Sequence, residues 1–310
     1  MLIKKKIILS IASLGIISLV TACGSNSTLI QQPTIQKQTV SQFTVNSNYT
    51  KIEPKFYNKK YPIAVISHRG FSENAPENTM ASMVKAYQAG ADMVELDVCL
   101  SKDGQVVIMH DDTLERTTNG KGKVEDKTLK ELKALDAGSW FSPIFKGEEI
   151  PTLEEILKFA KGKISVDIEI KENSVKDKID IEKKVVDIVH KYEMDEYVVI
   201  SSFSNKAVER VKTLDPKIPT AVIIMSNIFN SQVTIASKAK ADIINEDSFF
   251  VTEDEVQKSQ KAGIKVYSYI IYGTGPQEIQ KLVEKGVDGI LSNNPTIALR
   301  VLKDKYPEIK

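Results

Sequence analysis

Two short stretches decide the fold, Met93-Val-Glu-Leu-Asp-Val-Cys-Leu100 and Ile164-Ser-Val-Asp-Ile-Glu-Ile-Lys171. In both, apolar and charged side chains alternate, which places them on opposite faces of a β-strand. Glu95, Asp97 and Glu169 lie on the charged faces. An open parallel sheet with helices on both sides should be apolar on both faces. A barrel with a polar lumen near its rim accommodates one charged face, so the alternation favours a barrel.

Strand-like and helix-like runs alternate from Tyr61 onward. The strand candidates are Ile63–His68, Met93–Leu100, Val106–His110, Ile164–Lys171, Val198–Phe203, Thr220–Met225, Ala241–Asn245, Lys265–Ile271 and Gly289–Ser292. The helix candidates are Thr79–Ala89, Leu153–Ala160, Ile181–Tyr192, Asn205–Leu214, Glu253–Ala262 and Pro276–Glu284. This order is typical of a parallel sheet. We predict an α/β fold, a TIM-like (β/α)8 barrel, with a doubly wound open sheet as the alternative.

Composition excludes several classes of protein. Of the 310 residues, 42% are hydrophobic and 27% are charged, which is ordinary for a globular domain. The formal net charge of +1 gives no basic excess for binding nucleic acid. Two cysteines, Cys23 and Cys99, form neither a disulfide framework nor a zinc motif. Cys99 is interpreted as a small buried residue of a strand.

The N-terminus has the features of a targeting segment. Three lysines, Lys4 to Lys6, precede an apolar run from Ile7 to Val20, and small residues lead into Cys23. The run fits the apolar region of a secretory signal better than a membrane span of roughly 20 residues. Val20-Thr-Ala-Cys23 resembles a bacterial lipobox, so we predict a signal peptide over 1–22 and a lipid anchor at Cys23. An ordinary signal peptide and an uncleaved anchor helix are the alternatives.

Residues 23–60 are predicted to be a flexible tether, because a segment rich in Ser, Thr, Gln and Asn cannot bury a core. The folded domain is then expected over 61–310. The lipid-anchored domain would lie outside the cytoplasm, held at the cell membrane without spanning it.

Two of the three histidines end predicted strands. His68 closes the first candidate strand and His110 closes the third, whereas His190 falls within a predicted helix and is assigned to the surface with no role. Barrel enzymes place catalytic groups at the carboxyl ends of their strands. Histidine is also the side chain best suited to proton transfer near neutral pH. His68 and His110 are therefore the candidate catalytic pair.

Glu95, Asp97 and Glu169 are candidate ligands of one divalent cation. Hard cations prefer oxygen donors, and three carboxylates suit either Ca²⁺ or Mg²⁺. Spacing alone leaves a second interpretation equally open. In that interpretation Lys171 and Arg69 neutralise the acids in a salt-bridged lumen.

An ordered set of short motifs resembles the glycerophosphodiester phosphodiesterase family. The motifs are His68-Arg-Gly70, Pro76-Glu-Asn-Thr79, Glu95-Leu-Asp-Val98, His110-Asp111, Leu114-Glu-Arg-Thr-Thr118, Gly120-Lys-Gly122, Ile150-Pro-Thr-Leu-Glu154, Glu169-Ile-Lys171, Ser201-Ser-Phe203 and Gly286-Val-Asp-Gly-Ile290. Each motif is weak alone, but their order covers nearly the whole predicted domain.

The resemblance implies a TIM-like barrel with an insertion at about 113–151. It implies a divalent metal at the three carboxylates, and it matches His68 and His110 to a general acid/base pair. Arg69 and Lys171 match positions that contact the substrate phosphate. Glu77 matches a motif residue that we assign to the loop beside the site.

The implied reaction is hydrolysis of a small glycerophosphodiester to an alcohol and glycerol 3-phosphate. The resemblance weakens at Tyr267–Ile270 and at Ser292–Pro295, near the expected rim, so substrate choice stays open. Phospholipase D-like or lyase activity on intact lipids or wall polyglycerolphosphate is the alternative. A non-enzymatic lipoprotein binding module is a further one. The sequence does not indicate an oligomeric state.

Overall fold

The computed structural model describes residues 51–171, 181–225, 231–270 and 275–309. Within these residues one sheet contains eight parallel strands and one antiparallel strand. The strands are β1 (Ala64–Ser67), β2 (Met93–Leu100), β3 (Val106–Ile108), β4 (Ser165–Ile170), β5 (Val198–Ser202), β6 (Thr220–Ile224), β7 (Ile243–Asp247), β8 (Lys265–Tyr269) and β9 (Gly289–Ser292). Because β1 pairs with both β2 and β9, the sheet closes into a barrel. The predicted TIM-like fold is confirmed, and the open-sheet alternative is wrong.

Helices follow the strands and cover the outside of the barrel. They are α1 (Met80–Gln88), α2 (Leu129–Lys133), α3 (Leu153–Ala160), α4 (Ile181–Lys191), α5 (Asn205–Leu214), α6 (Gln232–Ala239), α7 (Glu253–Lys261), α8 (Pro276–Lys285) and α9 (Pro295–Lys305). The six helices predicted from sequence are present, and each end lies within one residue of its predicted position. Thr79 and Thr152 begin α1 and α3 with capping boxes, in which side chain and backbone satisfy each other's free groups.

The third predicted strand does not join the barrel. β3 pairs antiparallel with β2, with Val98 opposite Ile108, so it forms a hairpin at the barrel edge. The parallel alternation expected from sequence is therefore wrong at this point. Asp103-Gly104 lies in the connecting turn, where Gly104 has φ +75°. Asp-Gly is a common hairpin signal for this reason.

The segment 113–151 packs around a small apolar core of its own. This core contains Val107 of β3 and Met109, which directly follows it. Its other members are Leu114, Val124, Leu132, Ala137 and Ile150. A bridge between Val107 and Thr152 ties the C-terminal end of the segment to β3, and a bridge between Thr113 and Lys123 lies within the segment itself. The insertion is thus an ordered element that is fixed beside the carboxyl ends of β2 and β3.

The lower half of the barrel lumen is an apolar floor. Its buried residues are Ala64, Ile66, Met93, Val199, Ala221, Ile243, Tyr267 and Leu291. Phe56 packs against this cluster from the N-terminal segment. The floor therefore includes Met93 of β2, the strand that carries Glu95 and Asp97 further along.

Residues 51–60, which the sequence placed in the tether, contact the barrel. Lys51 donates to the carbonyl of Ala241 at 2.7 Å, and the Ile52 N–H donates to Asp242 at 2.9 Å. The Tyr57 ring stacks on Tyr197 with centroids 4.0 Å apart. The expected boundary at residue 60 is therefore too late, because the folded part already includes residue 51.

The predicted signal peptide, Cys23 and the tether up to residue 50 lie outside the described residues. In the part of the chain that the structure describes, no helix is long and apolar enough to cross a membrane.

Candidate active site

The carboxyl ends of the parallel strands open into a cavity of about 430 Å³. Of the site residues predicted from sequence, those that line it are His68, Arg69, Glu95, His110, Glu169 and Lys171. Asp97 lies directly behind this wall and is 1% exposed. It is 3.4 Å from Arg69 Nε and 3.3 Å from Lys171 Nζ. The structure thus brings the whole predicted set together.

Glu95 and Asp97 on β2 form a compact cluster with Glu169 on β4. The two strands are parallel neighbours, with Asp97 opposite Glu169. Each residue offers one oxygen, and these atoms lie within 4.8 Å of one another. All three residues are buried. Buried like charges at this spacing repel one another, so a proton or a cation must compensate them.

Burial and mutual repulsion disfavour the charged form of two of the three carboxyls. Burial, followed by the nearby Asp97 and Glu169, raises the pKa of Glu95 well above its ordinary value. Burial, followed by Asp97, raises the pKa of Glu169 to about 7. Burial alone would also raise the pKa of Asp97, but Lys171 and Arg69 outweigh it and lower this pKa. The local cations therefore compensate Asp97 more fully than its neighbours.

The donor set fits a divalent cation. Oε2 of Glu95 accepts the Arg69 backbone N–H at 2.7 Å, while its Oε1 is buried and makes no hydrogen bond to any residue that the structure describes. Lys171 donates to Glu169 at 2.8 Å, so the salt-bridged arrangement considered from sequence is present around Asp97 and Glu169. That arrangement does not reach the free oxygen of Glu95. Carboxylate oxygens of this kind suit Ca²⁺ or Mg²⁺.

His68 follows β1 and is held by an amide. Its Nδ1 is 2.6 Å from Oδ1 of Asn293, which follows β9, and its Nε2 is 3.9 Å from Glu95 Oε2. Burial and Arg69 lower the pKa of His68 to about 4, although 27% of the side chain is exposed at the mouth. The ring is therefore neutral at neutral pH. Because the Asn293 oxygen can only accept, Nδ1 carries the proton and Nε2 is the acceptor.

His110 follows β3 and is held by a carboxylate. Its Nδ1 is 2.6 Å from Asp111 Oδ1. Burial lowers the pKa of His110. A hydrogen bond from Arg116 holds the pKa of Asp111 far below its usual range, so Asp111 stays ionised. The two histidines thus face one cavity with unlike partners.

Several contacts in the site were not anticipated. Asn293 and the pair of Asp111 and Arg116 hold the two histidines, and Asn78 donates to Asp97 Oδ2 at 2.8 Å. Asn78 adopts φ +58°, which non-glycine residues tolerate best when they are Asn or Asp. All four residues lie in stretches singled out for their pattern, but the pattern did not show which side chains they contact.

Glu77, assigned from sequence to loop architecture, lines the cavity. It accepts from Arg69 Nη1 at 2.9 Å and from both terminal nitrogens of Arg116 at 2.7 and 2.8 Å. Its position links the loop after β1 to the insertion.

Comparison with known proteins identifies the family. Residues 68–297 match the model of the glycerophosphoryl diester phosphodiesterase family. The chain belongs to this family. It is therefore an enzyme of the phosphodiesterase class, and the resemblance noted from sequence is confirmed. Since the matched residues span the barrel strands from the end of β1 to the start of α9, the family covers the barrel that holds the site.

Individual relatives of the family agree with this placement. The glycerophosphodiester phosphodiesterase of Caldanaerobacter subterraneus is 36% identical over 240 residues, which are 77% of this chain and 97% of the relative. A solved glycerophosphodiester phosphodiesterase from Agrobacterium tumefaciens is 31% identical with a TM-score of 0.68, covering 77% of this chain and 99% of its own. An Oleispira antarctica phosphodiesterase, solved with the product sn-glycerol-3-phosphate, is 31% identical with a TM-score of 0.68. That match covers 77% of this chain and 96% of its own.

The two places where the sequence departs from the family pattern meet at the cavity mouth. Tyr269, Ile270 and Asn293 all line it. The Tyr269 hydroxyl donates to the carbonyl of Ile224 at 3.2 Å, which fixes the ring at the wall. The same wall continues through apolar side chains on neighbouring strands, namely Phe203, Ile223, Met225 and Leu291. The cavity therefore has a charged side and a largely apolar side.

His190 lies on the surface, as expected. Its Nε2 is 3.1 Å from Asp195 and 3.0 Å from Asp215. These side chains are exposed or half-exposed and lie on the outer helical layer, so they form no part of the cavity.

Proposed function

We propose that this chain hydrolyses small glycerophosphodiesters to an alcohol and glycerol 3-phosphate, with one divalent cation and with His68 and His110 as the acid/base pair. The observation that carries the proposal is a single cavity lined by both histidines, Glu95 and Glu169, with Asp97 crowded against these two carboxylates directly behind the wall. The glycerol phosphate product bound to the Oleispira relative supports the substrate class. A non-enzymatic binding module does not explain why these groups converge.

The carboxylates of Glu95, Asp97 and Glu169 would hold Ca²⁺ or Mg²⁺, which supplies positive charge to the phosphoryl oxygens when bound. Arg69 and Lys171 add two fixed positive charges on the same side of the cavity. Charge that develops on a phosphodiester in its transition state is stabilised by such preorganised groups. The substrate phosphate is therefore placed against the charged side.

One histidine, neutral with a free Nε2, removes a proton from the nucleophile. The other must carry a proton on Nε2 as well as on Nδ1 when it donates to the departing alkoxide. The nucleophile is either the neighbouring hydroxyl of the substrate's glycerol, which gives a cyclic phosphate that water then opens, or water itself. Phosphorus NMR of slow variants distinguishes the routes. A cyclic phosphate signal supports the first route, and its absence in every slow variant supports direct attack.

The metal and substrate are tested together by assaying the chain without its signal, from Gly24 onward. Release of glycerol 3-phosphate from glycerophosphocholine should stop with EDTA and return with Ca²⁺ or Mg²⁺. The variant His110→Ala is the matched negative control. No release from folded protein with either ion would contradict the proposed substrate.

We also propose that the enzyme works outside the cytoplasm, anchored to the membrane through lipid on Cys23. The positive start, the apolar run and the small residues before Cys23 support this location. The mass of the mature chain, in the wild type and in Cys23→Ala, tests it. A wild-type chain that keeps residues 1–22, or that carries no lipid, would contradict the anchor.

A second candidate function is cleavage of diesters with an apolar part, such as intact lysophospholipids. The apolar wall of Phe203, Ile223 and Met225 favours it, because this wall offers an alkyl group an apolar surface beside the phosphate site. Phospholipase D-like or lyase chemistry on such lipids, or on wall polyglycerolphosphate, would use the same charged side. Rates on glycerophosphocholine, lysophosphatidylcholine and polyglycerolphosphate, with analysis of the products, decide among them.

A further inference from the structure

His110 is held by a chain of charged groups, whereas His68 is held by a neutral amide. The carboxylate of Asp111 contacts His110 Nδ1 at 2.6 Å, and Arg116 in turn contacts Asp111. Nothing in the proposed hydrolysis requires Arg116 to touch the substrate. The arrangement therefore raises the question of what Arg116 contributes to the site.

The guanidinium of Arg116 makes four hydrogen bonds to two carboxylates. Nε donates to Asp111 Oδ2 at 2.6 Å and Nη2 donates to Asp111 Oδ1 at 2.9 Å. On its other edge Nη1 and Nη2 donate to Glu77 at 2.7 and 2.8 Å. Paired contacts of this kind fix orientation as well as distance, because the planar guanidinium matches each carboxylate.

Glu77, which anchors Arg116, is itself held in place. Arg69 Nη1 also donates to Glu77, and the Arg69 backbone N–H donates to Glu95. Only 13% of the Glu77 side chain is exposed, against 43% for Arg116. Glu77 thus provides a rigid point in the barrel loop, and Arg116 transmits that position across to Asp111 in the segment that follows β3.

The consequence falls on the His110 ring. A carboxylate on Nδ1 requires a proton there, so Nε2 of the neutral ring is the acceptor that faces the cavity. Asp111 is free to rotate unless its second oxygen is held. Arg116 holds both oxygens of Asp111 and so fixes the plane of the carboxylate and, through it, the imidazole.

We propose that Arg116 is a positioning residue that sets the orientation and tautomer of His110 through Asp111, using Glu77 as its anchor. This inference rests on the proposed function, because it assigns Arg116 a part in the same acid/base reaction. The ordinary alternative is that Arg116 only fastens the insertion to the barrel.

A double-mutant cycle separates these two roles. Arg116→Met should lower kcat by roughly 10- to 10²-fold with little change in KM, since a misplacement of about 1 Å costs up to that much. In a His110→Ala background the same substitution should change kcat by less than about twofold, because residues that act as a unit are not additive. A full additional loss in that background would overturn the proposal.

Lys133 provides a matched control in the same insertion. It bridges Glu155 at 2.6 Å and Glu149 at 3.4 Å, and it lies outside the cavity. Lys133→Met should leave kcat within about twofold of wild type. A loss as large as that of Arg116→Met would mean that loosening the insertion is sufficient, and the positioning role would be abandoned.

Nitrogen-15 NMR of histidine-labelled protein gives a readout that needs no substrate. In the wild type, the signals assigned by their loss in His110→Ala should show the proton on Nδ1, and Arg116→Met should weaken that preference. A wild-type proton on Nε2, or no change in the variant, would overturn the proposal. If the wild type shows the expected tautomer but releases no glycerol 3-phosphate, the proposed function fails while the positioning contact stands.

Discussion

The two ends of the barrel treat buried charge in opposite ways. At the N-terminal end Asp242 is 1% exposed, and it pairs with Lys212 at 2.5 Å while accepting backbone N–H groups of Ile52 and Thr220. At the carboxyl end Glu95 is equally buried, yet one of its oxygens has no hydrogen-bond partner among the described residues, and the carboxyls of Asp97 and Glu169 lie close to it. Asp242 therefore has an ion-pair partner and hydrogen-bond donors within the protein, whereas Glu95, Asp97 and Glu169 need a proton or a cation to compensate them. The comparison indicates a structural role for Asp242 and a functional role for the three carboxyls at the carboxyl end.

The largest expected effect belongs to the upper end. His68→Ala and His110→Ala should each lower kcat by about 10²–10⁴-fold, the usual contribution of a positioned acid or base. Neither ring is part of the apolar floor, so thermal unfolding should change little. Steady-state rates together with melting curves check this. Near-normal turnover in either variant would remove that histidine from the mechanism.

The next effect belongs to the lower end. Asp242→Asn leaves the Lys212 charge buried without its partner, which should reduce the free energy of unfolding by about 3–5 kcal/mol. Activity per folded molecule should be unchanged, because the pair lies at the end of the barrel away from the cavity. Denaturant unfolding measures the loss. The exposed pair of Lys183 and Asp187 is the control, and Asp187→Asn should cost less than about 1 kcal/mol.

Glu95→Gln tests the opposite expectation for an acid at the upper end. Removing one of three crowded charges should leave the metal-free protein at least as stable as wild type. Affinity for Ca²⁺ or Mg²⁺ should fall by at least the roughly 10- to 100-fold that an outer-shell partner is worth. Calorimetric titration and melting curves in EDTA report the two quantities. A destabilised variant with unchanged metal affinity would mean that Glu95 belongs with Asp242 as a structural acid.

The smallest effect concerns Glu246, a buried acid on β7 that belongs to neither of the two groups compared above. It is 1% exposed and accepts from Gln232, and burial followed by Glu255 raises its pKa to about 7. A raised carboxyl pKa means that the folded state binds the extra proton, so stability should fall as pH rises from about 4.5 to about 7 and then level off.

Glu246→Gln should remove that slope and gain about 1–2 kcal/mol at pH 8. Unfolding free energies measured across pH 4 to 8 check it, with the exposed Glu253→Gln, on the helix α7 that also carries Glu255, as the control. If the dependence of unfolding free energy on pH is the same in Glu246→Gln as in the wild type, the ionisation of Glu246 does not destabilise the fold. A buried acid with no ion-pair partner among the described residues would then behave like Asp242, which has one.

Much of the site could be predicted because it follows from strand periodicity. Alternation alone placed Glu95, Asp97 and Glu169 on one face, and the strand ends placed His68 and His110 at one rim. Barrel closure then brings them together without further information. The fold and the charged lumen were therefore accessible from local pattern.

What escaped prediction depends on contacts between distant residues. Arg116 and Glu77 are 39 residues apart, and their pairing depends on how the insertion folds over the loop after β1. His68 and Asn293 are 225 residues apart and meet only because β1 and β9 are neighbours. No periodicity encodes such a pair. The direction of β3 has a local signal in Asp103-Gly104, a hairpin turn that the regular alternation of strands and helices does not include.

The apolar floor, with Phe56 packed against it, closes the end of the barrel opposite the cavity mouth. Substrate therefore enters, and both products leave, through the same mouth of the cavity. We expect the product seated deeper in the cavity to leave after the outer one. A product-inhibition pattern in which only the last product to leave competes with substrate would support this order.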